Sequence, residues 1–195
     1  MRTISPIRFK NPEQADFVRT LRKRVDEYFK SNNLSKTGGV RLKLKAVCML
    51  LLYTAPYFAM LFGFITNVWL MWIMAALMGV GMACIGFSVM HDANHGSYSK
   101  NKKVNAALSY ALEIVGGSSR NWRIQHNKLH HTYTNVEGMD IDIKERGILR
   151  FSPHQKRRKL HRFQHIYAWL LYGIMSLYWV TVKDFLQMFS FKKQG

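Results

Sequence analysis

Five of the eight histidines fall into two dense groups whose spacing suits metal binding. The first is His91-Asp92-Ala93-Asn94-His95 and the second is His126-Asn127-Lys128-Leu129-His130-His131. On a helix, residues i and i+4 share one face, so His91 with His95, and His126 with His130, can each be aimed at one ion or one pair of ions. His131 is turned by one residue and can reach a neighbouring ion. Neutral imidazole is a ligand for iron, copper or zinc. The zinc-protease HExxH pattern fits poorly, because Asp92 stands where that motif has Glu. Five imidazoles also exceed the three protein ligands usual at a catalytic zinc. Asp92, Asp140 and Asp142 are candidates to accept the free ring N–H of a ligand imidazole, and Trp122 and Asn127 are candidates to line the site. His154, His161 and His165 stand apart. The last two lie in a Lys/Arg-rich run and suit interfacial anchoring.

The elements that must position these groups follow from the distribution of charge. From Ala46 to Met90 the chain holds no Asp, Glu, Lys, Arg or His. That is far more than the ~20 helical residues needed to cross a ~30 Å hydrocarbon layer. Thr66-Asn67 is the most polar point within it, so spans are expected at about residues 46–65 and 68–90. A third apolar run follows at about residues 166–182. Trp69 and Trp72 suit an interfacial belt. Ala75, Gly79 and Ala83 recur every fourth residue and offer a face for close helix packing. Residues 106–115 form a weakly polar run able to dip into the interface. The first histidine group stands where the second span ends. An isolated His pair is commonly a surface or capping feature, but two groups on one side of a single hairpin are poorly explained that way.

The formal net charge of +18, from 29 Lys+Arg against 11 Asp+Glu, calls for a polyanionic surface. With 48% hydrophobic residues, an anionic membrane fits and a nucleic-acid partner does not. The basic residues flank the apolar stretch while the 66–67 turn is uncharged, so the positive-inside rule puts the leader and residues 91–164 in the cytosol. Within the leader (residues 1–45), Asn11-Pro12-Glu13 is a helix start. Phe17, Leu21, Val25 and Tyr28 then form one apolar stripe opposite Arg19, Arg22, Lys23, Arg24 and Lys30, the pattern of a helix lying in the headgroup layer. Lys183, Lys192 and Lys193 sit awkwardly with a tail on the far side of the membrane, and a re-entrant third segment is the alternative. Cys48 and Cys84 both lie in the apolar stretch, which argues for buried free thiols and against a zinc ribbon.

Three further stretches, HDANHGSYS (91–99), WRIQHNKLHHTYTN (122–135) and GMDID (138–142), resemble the membrane fatty acid desaturases, most nearly the acyl-lipid and front-end type. HRFQHIYAWLLYG (161–173) fits the same family. The resemblance runs from about residue 47 onward. It implies an all-α integral membrane protein: a transmembrane helical hairpin, a third apolar helix and a cytosolic histidine-box segment, with residues 46–195 as an incomplete desaturase membrane domain. It also implies two non-haem iron ions held by His91, His95, His126, His130 and His131, with O₂ as co-substrate. The implied substrate is an acyl lipid or acyl thioester, and a separate ferredoxin or cytochrome would supply electrons. The family carries a third histidine box after the second; none follows His131 here, so the expectation is a truncated chain, inactive alone. Histidine-box hydroxylases and ketolases share this plan. A basic membrane protein without catalysis is the alternative from another class.

Overall fold

A computed structural model describes residues 12–143 and 147–192. Among them there are helices and no strand. Helix α1 (Pro12–Ser31) is followed by α2 (Val40–Leu61), then α3 (Val68–Asn94). Two short helices, α4 (Lys102–Ser109) and α5 (Ala111–Ile114), lead to α6, which covers residues 119–133. The last, α7 (Lys159–Phe191), is 33 residues long.

Helices α2, α3 and α7 are each long and apolar enough to cross a membrane. They bury little of themselves, 11%, 11% and 6% of their most apolar windows, and expose Leu, Phe and Trp along their length. An apolar surface of that extent, on helices whose backbone bonds are closed internally except at Pro56 of α2, is suited to lipid. The helix bounds differ from those expected of the spans. Helix α2 starts six residues before Ala46, because Arg41, Lys43 and Lys45 are exposed in its first turns and long basic side chains can reach the headgroups from there. It stops at Leu61, four residues before Ile65, where Gly63 takes a left-handed turn (φ +75°). Helix α3 begins at Val68 as expected, capped by the Asn67 side chain, which accepts the N–H of Trp69 (3.0 Å) and of Leu70 (3.2 Å). It continues past Met90 through both His91 and Asn94. Helix α7 overruns 166–182 at both ends. The helix start expected at Asn11 has Pro12 as its first described residue; Asn11, like Lys193, lies outside the described residues.

The α2–α3 pair packs on a different small residue from the expected set. Ala75, Gly79 and Ala83 are exposed, and a Cβ on Gly79 would meet nothing within 4 Å. The close approach is at Gly81, where an added Cβ would lie 2.7 Å from the Tyr53 backbone nitrogen. Gly81 is flanked at four-residue spacing by Leu77 and Ile85, so it is a single small residue on its face rather than part of a small-residue series. Gly81→Ala is therefore expected to cost about 1–3 kcal/mol, because backbone rather than a flexible side chain must give way. Gly79→Ala should be neutral. Thermal denaturation of the two variants in detergent checks the contrast.

The buried core sits directly beneath the histidines rather than within the hairpin. Ile85, Val89, Met90 and Ala93 from α3 pack with Ala111, Leu112 and Val115, with Ala46 and with Tyr98. Full burial of a side chain such as Ile85 or Leu112 contributes about 2 kcal/mol relative to water. This anchors residues 106–115 against α3 at the level where it reaches His91, while Tyr110 and Ile114 remain exposed. The core thus fixes the platform on which the two histidine groups meet.

Candidate metal centre

Local winding sets the direction of the histidines. Helix α3 passes through a π-helical turn, Ile85–Val89, just before His91, and α6 is π-helical from Arg123 to His130. The N–H of His131 bonds the carbonyl of His126, five residues back. Bonds closed i→i+5 bring residues five apart toward one face, and such turns recur at functional sites. This overturns the simple α-helical placement of His131, which shares a face with His126. Their Nε2 atoms are 3.2 Å apart.

His91, His95 and His126 come together from α3 and α6, each offering a ligand nitrogen within 4.8 Å of the others. His131 adjoins them, with its ring 4.9 Å from that of His95. Trp122 forms the floor: it stacks on His126 at 4.2 Å and meets His91 and His95 edge-on at 5.6 and 5.7 Å. Asn127 ties the two groups by donating to the Asn94 carbonyl at 3.0 Å. So Trp122 and Asn127, expected as lining, support and join the histidine segments. His91 and His126 are half-buried, while His95 and His131 are exposed.

His130 stacks beside His126 with ring centroids 5.4 Å apart and turns its Nδ1 edge toward two aspartates. Its Nδ1 lies 3.1 Å from both oxygens of Asp140 and 3.2 Å from Asp142 Oδ2. Asp140, 1% exposed, also accepts the backbone N–H of Asn135 (2.9 Å) and of Asp142 (3.0 Å). Burial pushes its carboxyl upward, but the two backbone donors and His130 outweigh that and hold it below the usual carboxylate range. An ionised carboxylate only accepts, so Nδ1 of His130 carries the proton and Nε2 is left as its ligand atom. Of the three aspartates considered, Asp140 is the buried partner, Asp142 is exposed, and Asp92 stands 3.5 Å from His91 Nδ1. His154, His161 and His165 belong to neither metal-binding group among the described residues.

Two of the imidazoles, His126 and His95, are poised as neutral ligands. Burial, then the neighbouring His131, His91, His95 and His130, push His126 down to about 4. Burial and the neighbouring His91 and His131 lower His95 as well. An unfolded His126 protonates near 6.5 and the folded one only near 4, so its contribution to stability is present above pH 6.5 and is lost as pH falls toward 4. The metal-free chain is expected to show a falling melting temperature across that window, with His126→Gln flattening the slope.

The donor set fits a first-row transition ion such as iron. Four imidazoles converge, and 3.2 Å is the separation of two nitrogens bound at about 2.1 Å to one ion at a roughly right angle. Among the described residues, the buried side-chain oxygens of Asn94 and Asn127 beside them have no hydrogen-bond partner. Those oxygens suit a water molecule held at such a centre.

Three supports escaped sequence reasoning. Asn105 fastens the loop after His95, donating to the carbonyls of Gly96 (3.1 Å) and Ser99 (2.8 Å) and accepting Ser99 N–H (2.9 Å). Glu113 accepts both the N–H (3.0 Å) and the hydroxyl (2.6 Å) of Ser119 at the start of α6. Gln125 donates to Asp142 at 2.6 Å. Only Ser118, whose side chain caps α6 through Asn121 N–H, left a readable trace.

The fold and site define a helical membrane protein with a histidine-rich face able to hold metal. The chain matches the fatty acid desaturase family over residues 67–195 and belongs to it. It is 38% identical over 173 residues to the sn-1 linoleoyl-lipid 6-desaturase of Synechocystis sp., covering 88% of this chain and 48% of that protein. It is 34% identical over 178 residues to the sn-1 linoleoyl-lipid 6-desaturase of Arthrospira platensis (91% and 48%). Against the acyl-lipid (8-3)-desaturase of Physcomitrium patens it is 36% identical over 186 residues (94% and 38%). The chain thus spans about half the length, or less, of these relatives. No solved structure matches it.

Proposed function

We propose that this chain forms the histidine face of an acyl-lipid desaturase, an O₂-dependent enzyme that introduces a C=C bond into a membrane-borne acyl chain. The observation that carries this reading is the convergence of His91, His95, His126 and His131 from two separate helices in a chain of the desaturase family. Iron held there would activate O₂, the oxidant, with two electrons and two protons supplied through the donor, so that two hydrogens leave adjacent unactivated methylenes and both oxygen atoms end as water; side chains alone lack this chemistry.

His91, His95, His126 and His131 would hold that iron through neutral ring nitrogens, and His130 would add its Nε2. Asp140 orients His130 and keeps its proton on Nδ1. Trp122 keeps the histidine rings in place and screens their underside. The apolar sides of α2 and α3 let an acyl chain approach from the bilayer, and the exposed edge at His95 and His131 leaves the other side open. Five imidazoles fall short of the ligands two irons require, so the 195 residues by themselves are expected to be inactive.

The histidine side is assigned to the cytosol, where a ferredoxin- or cytochrome-type donor can reach it. The basic surface there suits an acidic partner. Helix α1 is assigned to the headgroup layer: Phe17, Leu21, Val25 and Tyr28 are exposed along one stripe. Replacing Arg19, Arg22, Lys23 and Arg24 by Ser should weaken binding of the isolated 1–39 segment to anionic vesicles by roughly a thousandfold, at about 1 kcal/mol for each of the four charges near the surface. A sedimentation assay against neutral vesicles checks it.

The activity is tested by fatty-acid analysis of a host expressing the complete reading frame. A new double bond is the expected result. A hydroxylated or keto product would assign the site to the related histidine-box oxidations, and an unchanged profile with intact O₂ and donor supply would contradict the reading.

A further inference from the structure

Helix α7 carries Asp184 at the end of an apolar run, and its residue is only 9% exposed. A carboxylate in such a place is expensive unless it is partnered. Its partners are in the histidine segment, more than sixty residues earlier. Asp184 Oδ2 accepts the Ser118 N–H at 2.6 Å, at the cap of α6, while Oδ1 accepts the Trp179 indole N–H at 2.8 Å. The Asp184 carbonyl accepts the Asn121 side chain at 2.8 Å. One turn on, Gln187 donates to Gln125 at 2.7 Å, and Gln125 in turn donates to Asp142 beside His130. Packing agrees with the polar contacts: an added Cβ on Gly116 (φ +87°) would lie 2.9 Å from Val180. A π-helical turn, Trp179–Lys183, immediately precedes Asp184.

The other end of α7 is fastened to the continuation of the same segment. Gln164 accepts the Arg150 N–H at 2.7 Å and donates to the Arg150 carbonyl at 3.1 Å, and Tyr167 donates to the Ile148 carbonyl at 2.7 Å. We infer that α7 is docked at both ends on the histidine side of the membrane, and that Asp184 and Gln187 are positioning residues for the helix bearing His126 and His130. Long and apolar as it is, α7 lies along this side and does not carry the chain across. Asp184 holds the cap of α6, and the Gln187–Gln125–Asp142 chain sets the approach of Asp142 to His130. Lys183 then stands on the same side as the other basic residues, where its charge fits.

Two measurements test this. In a chain with Cys48 and Cys84 replaced by Ser, single cysteines are placed at Thr66, Thr132 and Ser190. In oriented sealed vesicles, a membrane-impermeant maleimide should label Thr132→Cys and Ser190→Cys from one side and Thr66→Cys from the other. Labelling of Ser190→Cys together with Thr66→Cys overturns the docking. The second measurement rests on the metal reading of the histidine face and uses Co(II) absorption of the 195-residue chain in nanodiscs. Asp184→Ala should weaken Co(II) binding about tenfold and shift the ligand-field bands, with Asp184→Asn in between. Gln187→Ala should give a smaller loss in the same direction, and it decides the matter should Asp184→Ala fail to accumulate. Unchanged Co(II) affinity and bands in these variants, beside a loss in His126→Ala, overturn the positioning role and leave the metal reading standing. Absence of Co(II) binding in the unaltered chain contradicts the metal reading, and the labelling then decides the docking alone.

Discussion

His126→Ala should lower the metal affinity of this chain by roughly a hundredfold or more. The ring of His126 is the hub of the face, 5.2 Å from that of His91, 5.3 Å from His95 and 4.6 Å from His131. Binding free energies of ~10–16 kcal/mol shared among four ligands give about 3 kcal/mol for each, which is the hundredfold estimate. The fold should survive, because His126 is only half-buried and the core beneath it is built from other residues. Lys128→Ala, at an exposed position on the same helix, should leave binding unchanged. Metal titration of both variants, read beside their helix content, separates loss of a ligand from loss of structure.

Asp140→Ala should destabilise the chain by about 3 kcal/mol and weaken metal binding by a further 10- to 100-fold. The substitution strands two backbone N–H groups, Asn135 and Asp142, and the Nδ1 proton of His130, all inside a site with 1% exposure at its centre. Freed of its partner, His130 can take the other tautomer and present the wrong nitrogen state to an ion. Asp140→Asn should fall between, since its amide oxygen still accepts while its amide nitrogen meets a donor. Asp142→Ala should be milder in stability because that side chain is exposed. Thermal denaturation in detergent and metal stoichiometry on the same samples check the order. The folded-state carboxyl is depressed, so Asp140 contributes stability above the ordinary Asp range and loses it as pH falls through its lowered value.

The hairpin was legible because forty-five uncharged residues leave no other placement, and Asn67 marked its turn by a chemistry that any helix start uses. The two histidine groups were legible from their intervals. Their detailed aim was not. The π-helical winding that turns His131 onto the face of His126 is announced by no residue pattern. Gly81 was missed because it stands alone between Leu77 and Ile85 at four-residue spacing, and only the approach of the Tyr53 backbone reveals its role. Among three aspartates equally placed in the sequence, only the turn at Asn135 (φ +61°) buries Asp140 against His130. Asp184 could have been suspected from a charge closing an apolar run, but its partner Ser118 lies 66 residues away.

The central claim is that the imidazoles of α3 and α6 hold iron. It is tested most directly by iron-edge X-ray absorption of the iron-loaded chain in nanodiscs, compared with a His91→Ala/His126→Ala variant. The predicted result is a nitrogen-rich shell at about 2.1 Å with the outer-shell scattering of several imidazoles, lost in the variant. An oxygen-only shell, or a spectrum identical in the two proteins, would contradict it.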